Sequence, residues 1–241
     1  MKIFFFPKPL IQVILVLLIC LLAVGAVWSF LGLGESDMRA EMTAAEPIYC
    51  GNTNQQQVAL AINVDWGEDV IPQMLDVLEA QQAKATFFIT GRFAENFPEI
   101  VAQIAEAGHE IGNHGYAHPH PDQLSVAESQ ADIVKAEEIL EPLIGEKPVL
   151  YAPPYGERGE NCLTAAENCG YTTILWTADT IDWEEPAPSR DTLVQRVTGE
   201  KLQKGAILLM HPKQHTADAL PDILRAIEEK GYTCVKVSEI L

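Results

Sequence analysis

The chain has 241 residues, with 16 Lys+Arg against 34 Asp+Glu, 48% hydrophobic residues and a formal net charge of −18. An apolar share near one half excludes a disordered chain, and so acidic a total excludes a nucleic-acid binder, which needs basic surface to displace counterions. The charge is unevenly spread, with +2 on residues 1–34, −3 on residues 35–55 and −17 on residues 56–241.

Residues 1–34 open with Lys2 and Lys8, and from Leu10 to Leu33 only Gln12 and Ser29 are clearly polar. That run of about 24 residues exceeds the roughly 20 needed to cross a bilayer as a helix, and it is longer than the apolar region of a cleaved leader. The expectation is one N-terminal transmembrane helix. Lysines before it and acids after it place the remaining domain outside the cytoplasm. Secretion after cleavage near Ala26, at Val24-Gly25-Ala26, is the alternative. Residues 35–55 lack sustained periodicity and read as an extracytoplasmic linker. Cys50, Cys162, Cys169 and Cys234 lie beyond the apolar run. No Cys-x-x-Cys pair supports a zinc-thiolate site, and free thiols are the expectation.

From residue 56 to 241, strand-like runs alternate with helical patterns. The runs are 58–64, 85–90, 109–112, 148–152, 172–177, 206–210 and 233–237. Gly108, Gly170 and Gly231 each close a helical pattern just before a strand. Seven strands with six intervening helices demand parallel α/β architecture, either an open doubly wound sheet or a closed barrel.

The polar residues decide between the two. Asp65, then His114 and His118, then Pro153-Pro154-Tyr155-Gly156, then Asp179 and Asp182-Trp183, then His211 follow the ends of strands one, three, four, five and six. Chemistry spread around strand ends favours a barrel. His114 and His118, four residues apart, can present two imidazoles to one metal, and Asp65 can complete a facial set with open positions. Glu68 and Asp69 stand nearby. His109 reads as a structural residue at a strand start, and His120, between prolines, as exposed.

HGYAH, APPYG, DTIDW and LLMH, in that order after those strands and flanked by ATFFITGR and GHEIGNH, resemble the polysaccharide deacetylase family (carbohydrate esterase family 4, the NodB-like homology domain) over about residues 56–240. The resemblance is nearest to membrane-anchored, sporulation-type deacetylases of Gram-positive-type bacteria. It implies a distorted (β/α)7 barrel. It implies a divalent metal, of zinc type with cobalt, nickel or manganese as variants, held by Asp65, His114 and His118. The implied reaction is hydrolysis of an N-acetyl carbon–nitrogen bond, or an O-acetyl ester, on a polysaccharide such as peptidoglycan. It further implies an aspartate–histidine acid pair at Asp179 and His211, with Pro154, Tyr155, Trp183, Ile207 and Leu209 lining an acetyl pocket.

Two departures stand out. Aligned without gaps, the family's Thr-Phe-Asp-Asp-Gly puts Asn63 at the base position and Val64 at the ligand position, whereas an Asp-x-Asp variant puts Asn63 and Asp65 there. An amide can orient a water but not take its proton. Ala152 stands where the family's arginine holds the base carboxylate, so the two losses go together. Glu157, Glu68 and Asp69 are the candidate replacement bases. Three functions follow: a metal-dependent deacetylase, a hydrolase of another amide or ester, and a metal-retaining polysaccharide-binding protein without turnover.

Overall fold

Residues 46–241 are described by the computed structural model; the expectations for residues 1–34 and most of the linker lie outside the described residues. Among the described residues no helix is long and apolar enough to cross a membrane. In chain order the elements are β1 (Gln57–Val64), α1 (Ile71–Ala80), β2 (Ala85–Ile89), α2 (Gly91–Asn96), α3 (Pro98–Glu106), β3 (Glu110–Asn113), α4 (Val126–Ile144) and β4 (Leu150–Tyr151). Then come α5 (Glu160–Asn168), β5 (Thr172–Thr173), β6 (Ala178–Asp179), α6 (Arg190–Thr198), β7 (Ile207–Met210), α7 (Gln214–Glu229) and β8 (Thr233–Val235).

Strand parity in β1 sorts the interior. Val58, Leu60, Ile62 and Val64 face the helices, in one core with Ile71, Leu78 and Leu220. Ala59 and Ala61 face the concave side with Phe88, Ile174 and Ile207. Two alanines there leave room for the Phe88 ring. Because side chains alternate across a strand, Asn63 shares the concave side and Val64 does not. Val64 therefore cannot be a ligand, and the Asp-x-Asp alignment is the one the backbone obeys. Ile207, expected in an acetyl pocket, is instead fully buried in the concave core.

Every strand pair is parallel, in the order β5-β4-β3-β2-β1-β7-β6, with β8 also pairing β1. A closed barrel needs an unbroken ladder, and this sheet lacks one: β5 and β6 do not pair. The expected single strand 172–177 is divided, β5 bonding to β4 and β6 to β7, while residues 174–177 cross between them. Residues 48–50, read as linker, occupy that gap: Ile48 bridges Ile174 and Cys50 bridges Ala206. The result is a curled parallel half-barrel, the expected (β/α)7 barrel being distorted so far that it stays open between β5 and β6.

Local chemistry sets the helices. Ser125 and Glu128 form a reciprocal capping box that starts α4. Gly108, Gly170 and Gly231 all have positive φ, as expected of helix stops before β3, β5 and β8.

Candidate functional site at the strand ends

A cleft of about 390 Å³ opens at the C-terminal ends of the strands. Asn63, His114, His118, Asp179 and His211 reach it from four different segments, and Trp66, Tyr155 and Trp183 rim it. Leu209 also lines it, as expected, whereas Pro154 is buried behind Tyr155 and outside the lining.

His114 is almost fully buried and donates its Nδ1–H to the Ala152 carbonyl at 2.6 Å, which leaves Nε2 to the cleft. Burial, reinforced by His118, pushes its pKa down to about 3, so it is neutral across physiological pH. His118 lies edge-on to it, ring centroids 5.0 Å apart, and burial lowers its pKa too. The loop carrying both is built by residues that sequence reasoning passed over. Asn113 accepts from the Gly115 N–H at 2.8 Å, and the Asp132 carboxylate on α4 accepts from the N–H groups of Tyr116 and Ala117 at 2.9 and 3.0 Å. Four non-glycine described residues have positive φ, and three of them, His118, Tyr155 and Ile181, flank this cleft. Such concentration of backbone strain is characteristic of functional sites.

The carboxylate behind His211 is Asp182, which corrects the expectation of Asp179. Asp182 Oδ1 accepts the His211 Nδ1–H at 2.8 Å, and Oδ2 accepts the His211 backbone N–H at 2.8 Å and the Thr216 hydroxyl at 2.7 Å. Burial would raise the Asp182 carboxyl, but these bonds outweigh it and hold the pKa below the ordinary value. The Asp182 carbonyl also accepts from His215 Nε2 at 2.9 Å. Asp179 instead accepts from the Ile181 N–H at 2.7 Å and the Trp183 indole N–H at 3.3 Å, fixing the rim tryptophan. The spacing in DTIDW was visible in the sequence; which aspartate turns inward depends on the turn at Ile181.

The candidate bases fail on geometry. Glu157 accepts from His120 Nδ1 at 2.7 Å and the Asp122 N–H at 2.9 Å, and neither it nor Glu68 nor Asp69 lines the cleft. Glu68 turns back onto the Gly67 N–H at 3.2 Å. His120 is exposed, as expected, and there it is held by Glu157 and stacks on Tyr155 with centroids 3.9 Å apart. Asn63 is 5% exposed, and its Oδ1 has no hydrogen-bond partner among the described residues. A buried acceptor left unmet costs about 1–3 kcal/mol.

The metal expectation meets the same kind of obstacle. Among the described residues no three His, Cys, Asp or Glu side chains surround one point. Asp65 Oδ1 accepts from Arg92 Nε at 2.6 Å and from the Thr90 hydroxyl at 2.9 Å, and Oδ2 is bonded by Arg92 Nη2. As arranged, the donors do not fit the three-ligand site, because Asp65 is turned onto Arg92 rather than toward His114 and His118.

The curled parallel half-barrel is shared with solved structures of carbohydrate esterase family 4. The chain belongs to the polysaccharide deacetylase family, whose model matches residues 51–174. It is 39% identical to the uncharacterised YlxY of Bacillus subtilis, over 86% of this chain and 64% of the relative, so it spans less than two thirds of that protein. It is 38% identical to a peptidoglycan-N-acetylglucosamine deacetylase of Bacillus cereus, over 76% of this chain and 67% of the relative. Among solved structures it resembles a wild-type CE4 family pseudoenzyme of Bacillus anthracis, with a TM-score of 0.77 and 37% identity over 81% of this chain and 68% of that one. A mutant of that pseudoenzyme, also similar to this chain, has restored enzymatic activity.

Proposed function

We propose that this chain recognises an N-acetylated amino-sugar polysaccharide of the peptidoglycan type at the mouth of its half-barrel, with hydrolysis there slow or lost for want of a base. The observation that carries the reading is Asn63, which takes the concave strand-end position with an amide, while Asp179, the single carboxylate lining the cleft among the described residues, is committed to Ile181 and Trp183. The exposed Trp66, Tyr155 and Trp183 offer the flat apolar faces on which sugar rings stack. The substrate class is supported by relatives named as peptidoglycan deacetylases. The membrane anchor in residues 1–34 belongs to the same proposal, since it sets the domain on the side where such a polymer lies.

A second reading, acetyl hydrolysis by this chain itself, is favoured by the intact Asp182–His211 pair. There the Asp182 carboxylate fixes the ring so that Nε2 can protonate the departing amine. Both readings are tested by adding N-acetylglucosamine oligomers and peptidoglycan fragments to full-length protein and recording binding and acetate release together. The first predicts saturable binding, weakened at least tenfold in Trp66→Ala or Trp183→Ala, and background acetate release that rises in an Asn63→Asp, Ala152→Arg variant. Absence of binding sinks it. Wild-type release abolished by His211→Ala establishes the second reading in its place.

A further inference from the structure

The Asp65–Arg92 pair lies beside the two cleft histidines and is used by neither reading above. Asp65 follows β1 on the same side of the chain as Asn63, and its charge is near enough to His114 and His118 to favour protonation of both rings. It is the carboxylate placed to complete a cation site. Yet of its roughly four lone-pair positions, three are taken, two by the Arg92 fork and one by Thr90. Arg92 is no chance neighbour. Its backbone N–H donates to the Tyr116 carbonyl at 3.1 Å, and the preceding Gly91 N–H donates to the Gly115 carbonyl at 2.9 Å, so the first turn of α2 is stitched to the loop bearing both histidines. Thr90, which caps α2 and bonds Asp65, ties the same turn to the end of β1.

We propose that Arg92 serves as a built-in cation for Asp65, neutralising the carboxylate and antagonising divalent metal binding at His114 and His118. A dication sharing Asp65 would face a guanidinium charge across a single carboxylate, and one taking Asp65 outright must first break a bidentate, charge-assisted pair. The pair is also why Asp65 is settled without a metal: its charge is balanced internally, and the Arg92 pKa is raised by the bond to Asp65. A lysine at position 92 would keep the charge but lose the fork. The inference stands on Asp65 and Arg92 alone and holds whether or not the cleft takes a glycan.

The test is equilibrium zinc binding, by competition with a chromophoric chelator, to full-length protein in detergent micelles. Arg92→Ala is expected to bind zinc at least tenfold more tightly than wild type and Arg92→Lys to fall between them. Adding Asp65→Asn to Arg92→Ala should abolish the gain. Equal affinity in wild type and Arg92→Ala overturns the proposal, as does a gain that survives Asp65→Asn. Should Arg92→Ala fail to fold, the wild type decides the matter by ¹⁵N NMR. The Arg92 Nε–H resonance is expected to persist through one equivalent of zinc, and its loss on stoichiometric, Asp65-dependent binding refutes the idea.

Discussion

Replacing Asp182 by Asn keeps shape and volume but removes the charge from a side chain that is fully buried and accepts three hydrogen bonds. Hydrogen bonds to a charged group contribute about 1.5–3 kcal/mol each, and neutral ones about 0.5–1.5. The amide retains one acceptor oxygen and turns an NH₂ toward either His211 or Thr216, so part of the network is rebuilt in neutral form. The loss of charge assistance over three bonds then comes to about 3 kcal/mol. At roughly 2–4 °C per kcal/mol for a domain of this size, Tm should fall by about 6–12 °C. Asp179→Asn is the matched control, because its carboxylate carries one good bond, to the Ile181 N–H, and one long bond to an exposed indole. It should cost under about 1 kcal/mol. Urea unfolding of both variants beside wild type decides the matter. Equal losses for the two, or an Asp182→Asn protein within about 0.5 kcal/mol of wild type, would refute the assignment of Asp182 as the buried partner of His211.

Two further expectations rest on burial and backbone geometry. His109 is 7% exposed, its Nδ1 accepts the Ala85 N–H, and burial lowers its pKa to about 4. A depressed histidine binds its proton more readily when unfolded, so its share of stability is full above the unfolded pKa near 6.5 and shrinks as pH falls toward 4, by roughly 3 kcal/mol in all. His109→Gln should lower stability at pH 7 yet flatten the acid slope; a variant with an unchanged slope argues against this. Gly156 has φ +67, and a Cβ there would lie 2.4 Å from Trp176 Cη2 in the cleft wall, whereas Gly145, at φ +81, has nothing within 4 Å. Gly145→Ala should lose only the left-handed penalty of about 1–2 kcal/mol, and Gly156→Ala about 2 kcal/mol more. Equal losses in chemical denaturation would show that Trp176 gives way freely.

Much of the site was legible in the chain. The strand-like apolar run of VALAINV and the stop glycines Gly108, Gly170 and Gly231 mark strands and helix ends through interactions within a few residues. Polar residues at strand ends are conspicuous against apolar runs, which makes Asp65, His114, His118 and His211 legible, whereas Asn63 is legible only against the family's motif. Less legible was the pairing of long-range partners. Asp179 and Asp182 are three residues apart in one loop, and only the turn at Ile181 chooses which faces His211. Glu157 sits beside Tyr155 in sequence, yet its carboxylate is claimed by His120 and Asp122 across the loop.

What the sequence by itself determined was the alternation of strands and helices, a consequence of local periodicity, and, against the motif of the family it resembles, the amide at Asn63 where a carboxylate is expected. The tertiary structure decided three other things. Strands β5 and β6 stay apart while residues 48–50 fill the gap, Asp182 rather than Asp179 stands behind His211, and Asp65 is given to Arg92. Each of these is a competition among charged or hydrogen-bonding groups distant in the chain, and it is settled only when folding brings the competitors within about 3 Å of one another.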